Sequence, residues 1–189
     1  MLLDKTTELT PEERVDRAFR YVEKSEIDRK AFNEVRKPEF WMEDNGQNPI
    51  RRKVRMLEMI KKIQEAEDYA SLGAASKEQI ADAENELKLK FSEDYKEYLS
   101  TFGAAAFCGK ELTGICSSER LSVIAVTQRA RSFYKSFPND AYVIEEMLFD
   151  HFLVIQKADG AVFSYGPNDS EELIADSLSM YLFPQEQQG

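Results

Sequence analysis

The stretch SKEQIADAENELKLKFSEDYKEYLSTFG, residues 76–103, decides how the rest of the chain is read. It holds two helix starts in succession. Ser76 with Gln79 three residues later is a capping box, in which two side chains satisfy backbone N–H groups that a helix start leaves open. Ile80, Ala83 and Leu87 then recur at helical spacing, so one face turns inward. Ser92-Glu93-Asp94-Tyr95 opens the second helix, with Ser as N-cap and two acids facing the positive helix end. Tyr95, Leu99 and Phe102 form its inner stripe, and Gly103 ends it.

Beyond Gly103 the period changes from helical to alternating. Residues 112–115 and 122–126 read as strands, the second rich in β-branched side chains. A helix is expected over 128–137, stopped by Pro138-Asn139-Asp140. Residues 142–145, 152–156 and 161–165 read as three more strands, and Ala158-Asp159-Gly160 carries the Asp-Gly signature of a tight hairpin. A last helix is expected over 171–182, with Leu173, Ile174, Leu178 and Tyr181 inward. Helices, then an antiparallel meander, then a helix is an α+β order.

Upstream, Thr10-Pro11-Glu12-Glu13 starts a helix that carries Val15, Ala18, Phe19 and Val22 on one face and reaches about residue 35. Phe40-Trp41 and Asp44-Asn45-Gly46 read as a loop with aromatic anchors. A further helix is expected over 50–69, with Ile50, Val54, Leu57, Ile60 and Ile63 inward and Leu72-Gly73 as its stop. Its basic residues, Arg51 to Lys53, Arg55, Lys61 and Lys62, read as a solvated face.

The 189 residues are 42% hydrophobic and include 12 Phe and 8 Tyr, enough for a packed interior. No apolar run approaches the roughly 20 residues that cross a bilayer, and charge at Asp4 and Lys5 interrupts any secretory h-region. The cytoplasm is the expected location. Net charge is −10, unevenly spread. Residues 1–70 hold fifteen basic and sixteen acidic side chains, whereas 71–189 hold ten and nineteen. Such a surface repels nucleic acid and membrane phosphates and attracts basic partners, although solubility alone also accounts for it.

Catalytic templates find little. His151 is the only histidine, and a Ser-His-Asp or Cys-His arrangement would have to use it. There is no P-loop and no GxGxxG. Glu145 and Glu146 are neighbours on a strand and point to opposite faces, so they are not a shared-proton dyad. Cys108 and Cys116 are too few for a secreted disulfide framework and read as small apolar thiols; whether they pair stays open. No CxxC accompanies the single histidine, so no metal site or cofactor is expected.

The residues 76–103 that opened this reading, with Gly109-Lys110-Glu111-Leu112-Thr113-Gly114-Ile115 and the later strands and closing helix, resemble the SUKH superfamily. Its members open with a capped helix ending in Glu-x-x-Leu, here Glu84 to Leu87. A Leu-Pro-x-x-Tyr helix start follows, here Phe91-Ser92-Glu93-Asp94-Tyr95. Ser92 departs from the family's Pro but is the better N-cap. The resemblance covers about residues 54–183 and leaves 1–53 as a helical extension of a 54–189 α+β domain. It implies N-terminal helices, a central mostly antiparallel sheet, a C-terminal helix and a binding role without catalysis. Bacterial members are mostly immunity proteins that neutralise a polymorphic toxin, often a nuclease; a fungal relative regulates cell-wall glucan synthesis through protein contacts.

The leading expectation is therefore an immunity protein with an acidic contact surface and a cognate toxin domain as its partner, with no direct nucleic acid or membrane contact. The expected contacts are Glu111, Glu119, Glu145, Glu146, Asp150 and Asp159, with Tyr142 or Phe149 as aromatic anchor. The alternative is an intracellular regulatory or scaffold protein that docks through 1–53. A small enzyme with a dispersed site is the weakest reading.

Overall fold

The computed structural model describes residues 49–147, 152–166 and 169–184. Contacts cluster into two compact units, 1–58 and 59–189. In the first, the described residues all lie in α1 (Pro49–Gln64), where Val54 and Met56 are buried and Arg52 is exposed. The helix expected over 10–35 and the Phe40-Trp41 loop fall outside the described residues.

In the second unit, α1 stops at Gln64, five residues earlier than expected. Glu65, Glu67 and Asp68 follow at once, and acids at a helix C-terminus oppose its negative end. Ala70–Ser71 becomes β1, paired with β2 (Ala105–Phe107). The two central helices form as the caps dictate. α2 (Lys77–Leu87) has both hydrogen bonds of the Ser76–Gln79 capping box and buries Ile80, Ala83 and Leu87. α3 (Glu93–Phe102) is capped by Ser92, buries Tyr95, Leu99 and Phe102, and ends at Gly103 with φ +66°.

Among the described residues, seven strands follow chain order in one antiparallel sheet: β1, β2, β3 (Lys110–Leu112), β4 (Ala141–Glu146), β5 (Leu153–Lys157), β6 (Val162–Tyr165) and β7 (Glu171–Ala175). The chain is thus an α+β protein with a short C-terminal helix, α5 (Leu178–Leu182). Gly114 and Gly103 bring two backbones together: a Cβ on Gly114 would fall on the Gly103 carbonyl, and Ile115 N–H donates to that same oxygen at 3.0 Å.

Three expectations about elements are corrected. Residues 122–126 are not a strand: Ser122 accepts from Ala125 N–H and caps α4 (Val123–Phe133), which replaces the helix expected over 128–137. Val123 and Val126 are fully buried, so packing overrides their β preference. The strand expected over 112–115 is shifted to β3. Residues 171–182 are not one helix: β7 pairs with β6, and Ser177 caps the separate α5. Leu173 and Ile174, expected inward, are 54% and 43% exposed.

At its centre, in β4 and β5, the sheet is covered on both faces. Tyr142 and Gln156 oppose each other on the face packed by Phe91 and Tyr95, whose ring centroids lie 4.7 and 4.9 Å from that of Tyr142. Val143 and Ile155 share the other face with Val126 and Ala130 of α4, and with Phe137 and Tyr165.

Candidate partner-binding surface

The path of β4 sorts the expected contacts. Its register with β5 shifts between Val143 and Glu145, leaving Ile144 as an extra residue. A bulge of this kind re-aims the side chains after it. Glu145 therefore opposes Val154 and joins the Tyr142 face, and Glu146 opposes Leu153 on the α4 face. Glu145 is only 8% exposed and accepts a 2.6 Å hydrogen bond from the Tyr181 hydroxyl, with Lys110 Nζ 3.5 Å away. The Lys110 ammonium also sits 4.6 Å above the Tyr181 ring. Burial first, and then the Glu145 hydrogen bond, push the Tyr181 hydroxyl well up, so it stays a donor. Glu145 is thus a fastener for α5, not a surface contact.

Tyr142 is likewise no surface anchor. It is fully buried, and its hydroxyl accepts from Ser92 N–H at 3.1 Å and donates to Gln156 Oε1 at 2.9 Å. Alternation along β4 would leave one face open, but both faces of this central strand are covered.

Two separate surfaces remain. At the Glu146 end, the Arg120 guanidinium grips both oxygens of Glu111, and Arg129 Nη2 lies 2.9 Å from Glu146. Arg120 holds the Glu111 carboxyl below the usual glutamate range, while burial opposes this. The Arg120 guanidinium is also influenced by Glu146, which places all four charges in one neighbourhood. Glu119 is exposed beside Arg120. Exposed pairs like these contribute about 0–1 kcal/mol to stability each. Next to them is a shallow groove of about 230 Å³, lined by Ala130, Phe133, Tyr134, Met147, Phe152 and Leu153 between Arg129 and Glu146.

At the opposite end of the strands, Asp159 lies in the exposed β5–β6 turn, its carboxylate accepting from Ala161 N–H at 3.0 Å. The antiparallel register of Ala141 with Lys157 folds Asp140 toward this turn. Lys157 is held above the usual lysine value chiefly by its 2.6 Å hydrogen bond from Nζ to Glu171, and Asp140 and Asp159 add to the effect. A Cβ on Gly160 would meet the Asp176 carbonyl at 3.8 Å, so Asp176 adjoins the same turn. Asp140, Asp159 and Glu171 thus surround one lysine, and Asp176 adjoins the turn beside them.

The second helix start fixes this acidic end. Asp94 is 7% exposed and accepts from Ser92 Oγ (2.5 Å), Tyr95 N–H (3.0 Å), Gln156 Nε2 (3.3 Å) and Leu178 N–H (2.8 Å). Gln156 Nε2 donates in addition to Gly160 O at 2.8 Å. One buried carboxylate therefore ties α3 to the Asp159 turn and to the start of α5 just after Asp176. Such networks rigidify when every member is satisfied.

Comparison with known families agrees with this architecture. A family model described as SMI1-KNR4 cell-wall, of the SUKH group, matches residues 56–183. The chain belongs to this family. The SUKH match starts within α1, spans every strand and ends at the residue after α5. The family is not known as enzymatic, and it points to protein–protein interaction in general. No curated protein matches the chain. Among the described residues no group of His, Cys, Asp and Glu is arranged to hold a metal ion, and no helix is long and apolar enough to cross a membrane.

Of the expected contacts, Glu111 and Glu146 share the neighbourhood of Arg120, Glu119 is exposed next to Arg120 in the chain, and Asp159 stands apart. Phe149 and Asp150 lie outside the described residues. Asp140, Glu171 and Asp176 were missed. Asp140 reads as a helix stop and Glu171 as part of a helix, and only the strand register brings them to Asp159. The cysteines are free, with Cys108 exposed in the β2–β3 turn.

Proposed function

We propose that this SUKH protein is a cytoplasmic immunity protein that binds and neutralises a cognate polymorphic toxin, a nuclease, through its acidic surface. The supporting observation is the cluster of Asp140, Asp159 and Glu171 around Lys157, with Asp176 adjoining the Asp159 turn that Asp94 braces. A nuclease is basic where it holds nucleic acid, and a carboxylate cluster on a rigid support is complementary to it. Rigidity matters because ordering a mobile loop on binding costs affinity. Glu111, Glu119 and Glu146 form a secondary contact region in this reading, their charge partly offset by Arg120 and Arg129.

Co-expression with the toxin encoded beside the gene tests the proposal. The full chain is expected to restore growth and to co-purify with the toxin. Persisting toxicity without a complex would sink it.

A second reading, a regulatory or scaffold protein acting through protein contacts, draws on the cell-wall description of the matching family. Here residues 1–53 are the docking element. Deleting them should then abolish partner binding while the 54–189 domain stays folded, whereas an acid-driven immunity protein tolerates the deletion.

A further inference from the structure

Among the described residues β7 is a terminal strand of the sheet, paired with β6 on one side. Gly166 N–H donates to Ser170 O at 3.0 Å, and bonded and non-bonded pairs alternate along an antiparallel ladder. Ser164 and Glu172 are therefore the next bonded pair, whereas Tyr165 with Glu171 and Phe163 with Leu173 are non-bonded pairs. The main-chain N–H and C=O of Glu171 and Leu173 thus point away from β6, as a template for a further strand. Residues 171–174 are all exposed, Leu173 by 54% and Ile174 by 43%. Leu173 shares a face with Phe163, so the apolar α4 face of the sheet runs out to this edge. Glu172 lies on the opposite face, across from Ser164.

The charge of the edge selects what docks there. Residues 169–176 carry Asp169, Glu171, Glu172 and Asp176 and no basic side chain. Lys157 is beside them, but its ammonium is taken by Glu171 at 2.6 Å. Asp169 accepts from the Tyr165 hydroxyl at 2.8 Å, and Pro167 and Asn168 add no charge. Edge strands are commonly guarded by charged side chains and by bulges, and here Ile174 is the extra residue where the register with β6 shifts. This guard has one sign. A second copy of the edge would set carboxylates against carboxylates, which like charges across a strand pair oppose. A basic strand meets the opposite sign.

We propose that the free edge of β7 binds an extended basic segment of a partner protein as an additional strand. The segment's main chain pairs with Glu171 and Leu173, its apolar side chains lie beside Leu173, and its basic ones lie beside Glu172. Asp169 and Asp176 attract cations at its two ends. Main-chain bonding supplies affinity and the alternation supplies selectivity. The identity of the partner rests on the function proposed above, in which the segment belongs to the toxin.

Amide exchange of the full chain, read by NMR, tests this with a short peptide alternating Lys with Val and another alternating Glu with Val. The Lys-Val peptide is expected to slow exchange at Glu171 and Leu173 at least tenfold and to leave Glu172, already bonded to β6, unchanged. The Glu-Val peptide should protect none of them. Leu173→Pro removes an outward donor without touching the β6 ladder and should weaken peptide binding at least tenfold, whereas Leu173→Ala keeps the donor and should cost less. Slow exchange at Glu172 checks that β7 stays paired, and Glu172→Lys, at an exposed side chain, should weaken binding as well. No protection by the Lys-Val peptide, equal protection by the Glu-Val peptide, or a paired Leu173→Pro strand that binds like the parent would each overturn the proposal. The toxin domain encoded beside the gene is the next probe and should protect the same amides. A toxin that binds without protecting them overturns the edge contact and leaves the immunity reading standing. A toxin that does not bind, beside a peptide that does, removes that reading and supports the edge.

Discussion

Asp94 accepts four hydrogen bonds inside one buried cluster, and the donors belong to α3, β5 and α5. Asp94→Ala takes the carboxylate from Leu178 N–H and one partner from each of Ser92 Oγ, Tyr95 N–H and Gln156 Nε2, and buried unpaired donors cost about 1–3 kcal/mol each before relaxation. A loss of about 3 kcal/mol in urea unfolding is expected, as is faster amide exchange at Leu178; a loss under 1 kcal/mol would contradict the network. Glu84 shows a different balance. Burial works against its charge, but hydrogen bonds from Lys90, Phe91 N–H and Lys96 outweigh this and leave its pKa below the usual 4.5. A lowered folded pKa means stability that is complete above the unfolded value and is lost as pH falls from about 4.5 through the folded value. Glu84→Gln should therefore lower Tm at neutral pH and flatten its decline in that acid window. At this scale the sequence speaks clearly about caps and poorly about exposure. Ser76, Gln79 and Ser92 announce their bonds by spacing alone, whereas Tyr142 and Glu145 are inside because helices cover both faces of β4, which no local pattern in β4 reports.

Among the elements, α4 and β7 were misread for one reason: tertiary pairing outweighs local preference. Val123, Ile124 and Val126 favour a strand in isolation, yet Ser122 caps a helix that buries Val123 and Val126. Ser122→Ala should cost about 1 kcal/mol and fray the first turn of α4, measurable by amide exchange at Ala125 and Val126. Glu171-Glu172-Leu173-Ile174-Ala175 suits a helix, but β6 offers an unpaired edge and Ser177 starts α5 only afterwards. The strands β4 to β6 were legible because β-branched and aromatic runs flank an Asp-Gly turn. Gly114→Ala places a methyl group on the Gly103 carbonyl and should cost about 3 kcal/mol, since both neighbours are backbone and cannot rotate aside. Unfolding within 1 kcal/mol of the parent would show that the two backbones are free to part.

Across the whole molecule, the uneven charge was plain from composition, but its placement was not. The nineteen acids after residue 70 are spread along the sequence, and the antiparallel register gathers three of them around Lys157 while arginines offset Glu111 and Glu146. Attraction through the acidic end acts over distances that salt screens, about 8 Å at physiological ionic strength, so association with a basic toxin should slow as salt rises while dissociation changes little. Stopped-flow mixing over a salt series checks this, and a rate indifferent to salt would count against an acid-steered encounter. The most direct test of the binding role is a calorimetric titration of the full chain with the toxin domain encoded beside it, repeated with Asp159→Lys and Asp176→Lys combined. Both positions are exposed, so the doubly substituted chain should fold as the parent does and bind at least tenfold more weakly, with growth protection lost in parallel. Unchanged binding by that variant, or no binding by the parent, would contradict the account.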